Sequence, residues 1–222
     1  PPLLPLLAPL CAAAGITAVT GSVVTRGVDH VAWLCSLPAL LGAKAPETFG
    51  APPTYLAPAA ERAAVWRRRR PAGALCFGLC WEGRATHPQD AQRSLPPDLL
   101  QPLAGLPGVI LVGLQRPPLR QPVPGALLDM DWGPDITDFA ELAAMVAALD
   151  LVVTADTALA HLAGAMGHPG LVLLPHVPDW RWGLGAGSTP WYPSLHLLRQ
   201  AKPGDWGGVA AAAAAALSLA AD

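Results

Sequence analysis

The stretch LVVTADTALAHLAGAMGHPGLVLLP, residues 151–175, decides the fold. LVVTAD (151–156) is an apolar, β-branched run of strand length. TALAHLAGAMG (157–167) has the Ala and Leu content of a helix, and GLVLLP (170–175) is a second apolar strand. Neither run alternates with polar residues, as a strand with one wet face would. Strands of this kind belong to a parallel sheet covered by helices on both faces.

The same alternation extends outward on both sides. TDFAELAAMVAALD (137–150) opens in capping-box form, with Thr137 or Asp138 at the start and Glu141 a turn later. Its Leu142, Met145, Val146 and Leu149 form an apolar stripe at helical spacing. Upstream, ALCFGLCW (74–81) and GVILVGLQ (108–115) read as buried strands, and LLDMDW (127–132) as a weaker third. LPPDLLQPLAGL (95–106) reads as a helix, since Pro96 and Pro97 are tolerated in a first turn. Downstream, a strand near LHLLRQ (195–200) and an Ala-rich helix over 205–220 complete the series. The pattern is that of a Rossmann-like α/β domain over residues 61–222.

Residues 1–60 are different. Residues 3–14 suit a helix, while residues 16–20, with Val23 and Val24, suit short strands. SLPALLGAKAPETFGAPPTYLAP (36–58) is rich in Pro and turns, and reads as a connector between lobes; a short helix over 61–70 leads out of it. The opening PPLLPLLAPLCAAAG has the apolarity of a signal peptide but no initiating Met or basic leader, and its prolines interrupt a helix. The expectation is a chain that begins mid-protein. Residues 1–60 would then be part of an N-terminal lobe, with exposed apolar surface around 3–10 and 31–41 if nothing covers it.

Composition narrows the function classes. The chain has 222 residues, 52% hydrophobic and 14% charged, which is enough for a sizeable core. A net charge of −2 gives no electrostatic footprint for nucleic acid. The basic run Arg67 to Arg70 stands alone, and reads as a solvated helix end or, less simply, as an anion patch. Cys11, Cys35, Cys76 and Cys80 form no CxxC pair, and strand geometry places Cys76 and Cys80 on one buried face. A reducing, cytoplasmic compartment fits, with no zinc site, disulfide framework or transmembrane segment expected.

Ligands of such sheets bind outside the carboxyl ends of the strands. At residues 152–167 a strand ends in Asp156 and a helix begins at once, with Thr157 in its first turn. The first N–H groups of that helix lack internal partners and carry partial positive charge, so a diphosphate fits there without metal. His161 lies four residues after Thr157 on the same face, and Ala158, Ala160, Ala163 and Gly164 allow close packing on the sheet. The plainer reading makes Asp156 an N-cap and His161 a core histidine. PHVPDWRWGLGAGSTPWYP (175–193) gathers Trp180, Trp182, Trp191 and Tyr192 around Arg181 in a loop. It suits a base or sugar platform and equally the closure of an inter-lobe gap. WEGRATHPQDAQRSLP (81–96) carries His87, Asp90, Arg93 and Ser94 after the first regular strand, where a ligand loop or an ordinary connection would lie.

Together these segments resemble the bacterial glycosyltransferase domain associated with tetratricopeptide repeats, related to the ADP-heptose heptosyltransferases. The motifs are SLPALLGAKAPETFGAPPTYL, LCWEGRATHPQDAQRSLPPDLL, DITDFAELAAMVAALDLVVTADTALAHLAGAMGHP and LLPHVPDWRWGLGAGSTPWYPSLHLLRQ with a following GDW; they run in order over most of residues 33–209. The resemblance implies a GT-B fold, two Rossmann-like lobes with the donor held mainly by the C-terminal one, and upstream repeats in the full-length protein. It implies transfer of a sugar from a nucleotide diphosphate to an acceptor hydroxyl, with no cofactor or metal. Asp156, Thr157, Ala158 and His161 match the stretch bordering the donor diphosphate. Trp81, Gly83, His87, Asp90, Arg93 and Ser94 match the first loop of the donor lobe. Gln115, Thr137 and Asp138 match positions near the nucleotide, with Trp180, Arg181 and Trp182 as further nucleotide or sugar contacts.

The sequence also departs from that pattern. Trp81-Glu82-Gly83-Arg84 stands where the family reads Trp-Ser-Gly-Asn, and Gln89 and Ala91 stand where it has Asn and Arg. The family's general base belongs to the start of the N-terminal lobe, for which residues 1–60 offer no counterpart, so the catalytic residue is unknown. The alternative is a degenerate sugar-nucleotide-binding or interaction module. A nicotinamide dehydrogenase is disfavoured because no GxGxxG follows a strand.

Overall fold

The computed structural model describes residues 3–21, 27–33, 36–44, 54–185 and 187–221. Helices α1 (Leu4–Ala13), α2 (Leu37–Leu40) and α3 (Ala60–Arg67) precede the sheet region. Strand β1 (Leu75–Cys80) leads through the short α4 (Asp90–Arg93) and a 3-10 helix (Pro97–Leu103) to β2 (Val109–Gly113) and the two-residue β3 (Met130–Asp131). Then follow α5 (Phe139–Val146), β4 (Leu151–Ala155), α6 (Ala158–Ala165), β5 (Gly170–Leu174), β6 (Leu195–Arg199) and α7 (Trp206–Ala221).

The six strands form one sheet in the order β3-β2-β1-β4-β5-β6, every pair parallel. The chain builds outward from β1 to β3, returns through α5, and builds outward again from β4. The order therefore reverses between β1 and β4, the switch point where doubly wound sheets open a crevice. The expected α/β, Rossmann-like parallel sheet is present.

Period-two geometry explains the unbroken apolar strands. Cys76 and Cys80 of β1 face one core with Val152, under α5 and α6. Phe77 and Leu79 face the opposite core with Val153 and Ala155, under α7 and the Pro97–Leu103 turn. Both faces are dry, so neither tolerates a polar residue without a partner. At Gly78 an added Cβ would lie 2.6 Å from Leu114 and 2.7 Å from Leu149, and the absence of a side chain lets these leucines pack onto the strand.

Three expectations change in detail. Residues 16–20 form no strand; Ile16 and Val19 are exposed, with no neighbouring strand among the described residues to take their backbone groups. Residues 97–103 wind as a 3-10 rather than an α-helix, because Pro102 lacks an N–H and its ring would clash with the carbonyl of Asp98 in an α-helical turn. The basic run is the exposed helix end expected at Arg67–Arg69, but three of its four arginines are also engaged by the protein rather than only solvated. Arg67 and Arg70 donate to the carbonyls of Ala147 and Ala148 at the end of α5, and Arg69 pairs with Asp135 at 2.7 Å. These cations cap the negative end of that helix. Val23, Val24, Cys35 and connector residues 45–53 lie outside the described residues.

Candidate functional site

The turns after β1, β2 and β4 surround a cavity of about 780 Å³ together with the start of α5. A smaller cavity of about 170 Å³ adjoins the other side of α6. Arg93 lines both.

Thr157 is the N-cap of α6: its hydroxyl accepts from the N–H of Leu159 at 3.2 Å and lies 3.1 Å from the Thr154 hydroxyl. Thr157, Ala158 and Leu159 present the helix N-terminus to the larger cavity. Opposite them, Asp138 caps α5 by accepting from the N–H of Glu141 at 2.8 Å. The capping box is not reciprocal, since the Glu141 carboxylate accepts instead from Trp66 Nε1 at 2.6 Å and Arg62 at 3.0 Å, tying α5 to α3. Thr137 and Asp138 form the polar rim of a wall whose apolar part is Ile136, Phe139 and Leu142.

Gln115, just beyond β2, holds the β1 turn. Its Oε1 accepts from the N–H groups of Trp81 at 3.3 Å and Glu82 at 3.1 Å, and from the Cys80 thiol at 3.2 Å. Burial pushes that thiol up to about 11, so Cys80 remains a neutral hydrogen-bond partner and not a nucleophile. The N–H of Gly83 donates to Ser94 Oγ at 3.0 Å. A Cβ at Gly83 would collide with Asp90 and Arg93, so only glycine allows the loop to lie on α4.

Asp90 is buried and accepts from Arg93 Nε at 3.2 Å, while Arg93 Nη1 donates to the Asp156 carbonyl at 2.8 Å. Arg93 therefore bolts the β1 turn to the end of β4. Arg120 donates to Glu82 through its backbone N–H at 3.2 Å and Nε at 3.1 Å, and its Nη1 lies 2.5 Å from Asp90 Oδ2. Among the described residues Arg84 and Arg116 form no ion pair, and both line the larger cavity.

His161, Asp156, His87 and Arg181 line the smaller cavity. The His161 ring stacks on Trp182 at 5.1 Å, and its Nδ1 lies 3.2 Å from the Tyr192 hydroxyl. Burial holds its pKa below the usual 6.5, with Asp156 opposing, so the ring is neutral at pH 7. Trp182 is 2% exposed and supports His161 from behind. Trp180 is exposed, 4.6 Å from the Arg181 guanidinium and edge-on to Trp191.

The structure thus brings Gly83, Arg93, Gln115, Thr137, Asp138, Thr157 and Ala158 to one cavity, and His87, Asp156, His161 and Arg181 to its neighbour. Thr157 and His161 face different cavities, although both are on α6. Asp90 and Ser94 stand behind the wall as supports, and Trp81 is fully buried in the sheet core. Sequence reasoning did not single out Arg116 and Arg120 as cavity residues. The available signal was topological: they follow a parallel strand, so they emerge at the same sheet edge as the β1 turn. Among the described residues no group of three His, Cys, Asp or Glu side chains is placed to hold a metal ion, and no helix is long and apolar enough to cross a membrane.

Comparison with known proteins finds similarity over part of the chain. Protein FlbA of Caulobacter vibrioides is 29% identical over 169 residues, 72% of this chain. The chain spans only 28% of the length of that curated relative. Two solved structures are similar. The E. coli ADP-heptose lps heptosyltransferase II has a TM-score of 0.46 and 16% identity, over 65% of this chain and 45% of that one. The E. coli heptosyltransferase WaaC with ADP has a TM-score of 0.49 and 18% identity, over 72% and 48%. Residues 136–201, the part that supplies α5, β4, α6 and one side of both cavities, match the model of glycosyltransferase family 9 (heptosyltransferase).

Proposed function

We propose that this chain is the donor-binding lobe of a GT-B glycosyltransferase, which takes a sugar from a nucleotide diphosphate and passes it to an acceptor hydroxyl without a divalent cation. The observation that carries this reading is the helix N-terminus of α6, capped by Thr157 and opening into a cavity that also holds Arg84, Arg93 and Arg116. Unsatisfied N–H groups and guanidinium groups together supply the charge that a departing diphosphate requires. The apolar wall of Ile136, Phe139 and Leu142 offers a face for the base, with Thr137 and Asp138 beside it. The neighbouring cavity, polar and reached past Arg93, suits the sugar, where neutral His161 can exchange hydrogen bonds with hydroxyls. The family match over residues 136–201 supports the same chemistry.

In this reading residues 1–60 belong to an N-terminal lobe, the general base comes from outside residues 61–222, and tetratricopeptide repeats accompany the domain in the full-length protein. The free thiols of Cys76 and Cys80 fit a cytoplasmic setting. The test is calorimetric titration with UDP-, ADP- and GDP-sugars in EDTA. Saturable binding of one, weakened by His161→Ala and by Thr157→Ala, is the expected result. Folded protein that binds none of them, or binding unaffected by both substitutions, overturns the proposal. One observation favours a binding module without turnover: Glu82, a buried carboxylate, lines the cavity meant for an anion. Donor hydrolysis or transfer by the full-length protein would decide against that second reading.

A further inference from the structure

The crevice contains its own anions. Glu82 is 6% exposed and Asp90 2%, and both face Arg120. Glu82 accepts from the Arg120 backbone N–H and Nε through its two oxygens, while Asp90 is ion-paired with Arg120 Nη1 through Oδ2 and accepts from Arg93 Nε through Oδ1. Two carboxylates and two guanidinium groups thus close a neutral set across the turns after β1 and β2 and helix α4. Glu82, Arg93 and Arg120 all line the larger cavity, so beside Arg84 and Arg116, unpaired among the described residues, an incoming phosphate meets two cations whose charge is already matched. In a site of reduced dielectric that competition is strong, because a carboxylate held in place loses little entropy on pairing.

We propose that Glu82 is a resident counter-anion that withholds Arg120 from phosphate, so that the Glu82–Arg120 pair sets how tightly this crevice takes a diphosphate. The proposal rests on the donor-lobe reading for the identity of the ligand, but its charge logic applies to any diphosphate. Freed from Glu82, the Arg120 guanidinium turns toward the cavity that it already borders. Asp90 remains as its partner, and keeps the loop after β2 attached to α4.

The experiment compares wild type, Glu82→Gln, Arg120→Met and the double variant by calorimetry. The probes are inorganic pyrophosphate and the nucleoside diphosphates ADP, UDP and GDP. Glu82→Gln keeps the side-chain volume; Glu82→Ser is a second variant, and thermal unfolding verifies that each is folded. Glu82→Gln is expected to tighten pyrophosphate by about tenfold, the order of one strong charge-assisted contact. The double variant is expected to bind no tighter than Arg120→Met alone, since the gain runs through that guanidinium. Unchanged or weaker binding by folded Glu82→Gln and Glu82→Ser overturns the proposal, as does a gain that survives Arg120→Met. If pyrophosphate tightens but no nucleotide binds any variant, the counter-anion role stands and the donor-lobe reading falls. If nucleotides bind wild type and Glu82→Gln equally, the donor-lobe reading stands and the counter-anion role falls.

Discussion

His168 and His161 show how one residue type serves two ends within a single βαβ unit. His161 packs against Trp182 and Tyr192 at the edge of a cavity, where burial favours its neutral form. His168, in the turn after α6, is held down to about 4 by burial, with Asp150 only partly opposing. Its Nε2 is buried and has no hydrogen-bond partner among the described residues. The sign of the pH effect follows. Above pH 6.5 the ring is neutral in both folded and unfolded chains and contributes no slope. Between 6.5 and about 4 the unfolded chain binds a proton that the folded one refuses, so stability falls as pH falls. The loss reaches on the order of 3 kcal/mol across the window. Denaturant unfolding at stepped pH is expected to show this slope, and His168→Gln to flatten it. His161, lowered for the same reason, acts in the same direction.

At the scale of elements, α5 and α6 are short, eight residues each, and neither would persist alone. Each depends on its cap and its buried face. Asp138 anchors α5 at one end, while Arg67 and Arg70 take the carbonyls at the other. Asp138→Ala is expected to cost about 1 kcal/mol in urea unfolding, typical of a lost N-cap. It should also weaken nucleotide binding, because the same residue rims the cavity. A change in stability with unaltered affinity would confine Asp138 to the cap. Polar residues preceding an apolar run narrow the α5 cap to Thr137 or Asp138 and suggest Asp156 for α6; the structure makes the caps Asp138 and Thr157, one residue later than Asp156. The partner of Glu141 was not legible: the capping-box pattern points to the Asp138 N–H side, and tertiary packing instead brought Trp66 and Arg62 within reach, 75 and 79 residues away.

Across the whole molecule, the sheet region and the first 44 residues are organised differently. Leu6 of α1 is buried in the same core as α5, yet Leu3 and Leu10 are exposed. Val31, Trp33, Leu40 and Leu41 are between 68% and 84% exposed, within the 31–41 stretch where uncovered apolar surface is expected of a partial lobe. Such a patch should bind an environment-sensitive dye. Anilinonaphthalene sulfonate fluorescence is expected to rise with the native protein at neutral pH and to fall when Trp33→Ser and Leu40→Ser are combined. No enhancement from native protein would mean that these side chains are covered in solution.

The sequence by itself determined the order of strands and helices from residue 74 onward. Unbroken apolar runs separated by capped helices have one economical arrangement, a parallel sheet with both faces covered. It also placed Asp156, Thr157 and Arg93 at the correct edge, because parallel strands present all their carboxyl ends together. The side on which each residue opens was decided only by the tertiary structure. The sheet order put the turns after β1, β2 and β4 next to one another and assigned Thr157 and His161 to separate cavities. It also made Arg120 the partner of Glu82 and Asp90. Pairings over 30 and 38 residues leave no periodic trace in the chain, since they arise from where a twisted sheet carries its loops, and not from any local preference of the residues involved.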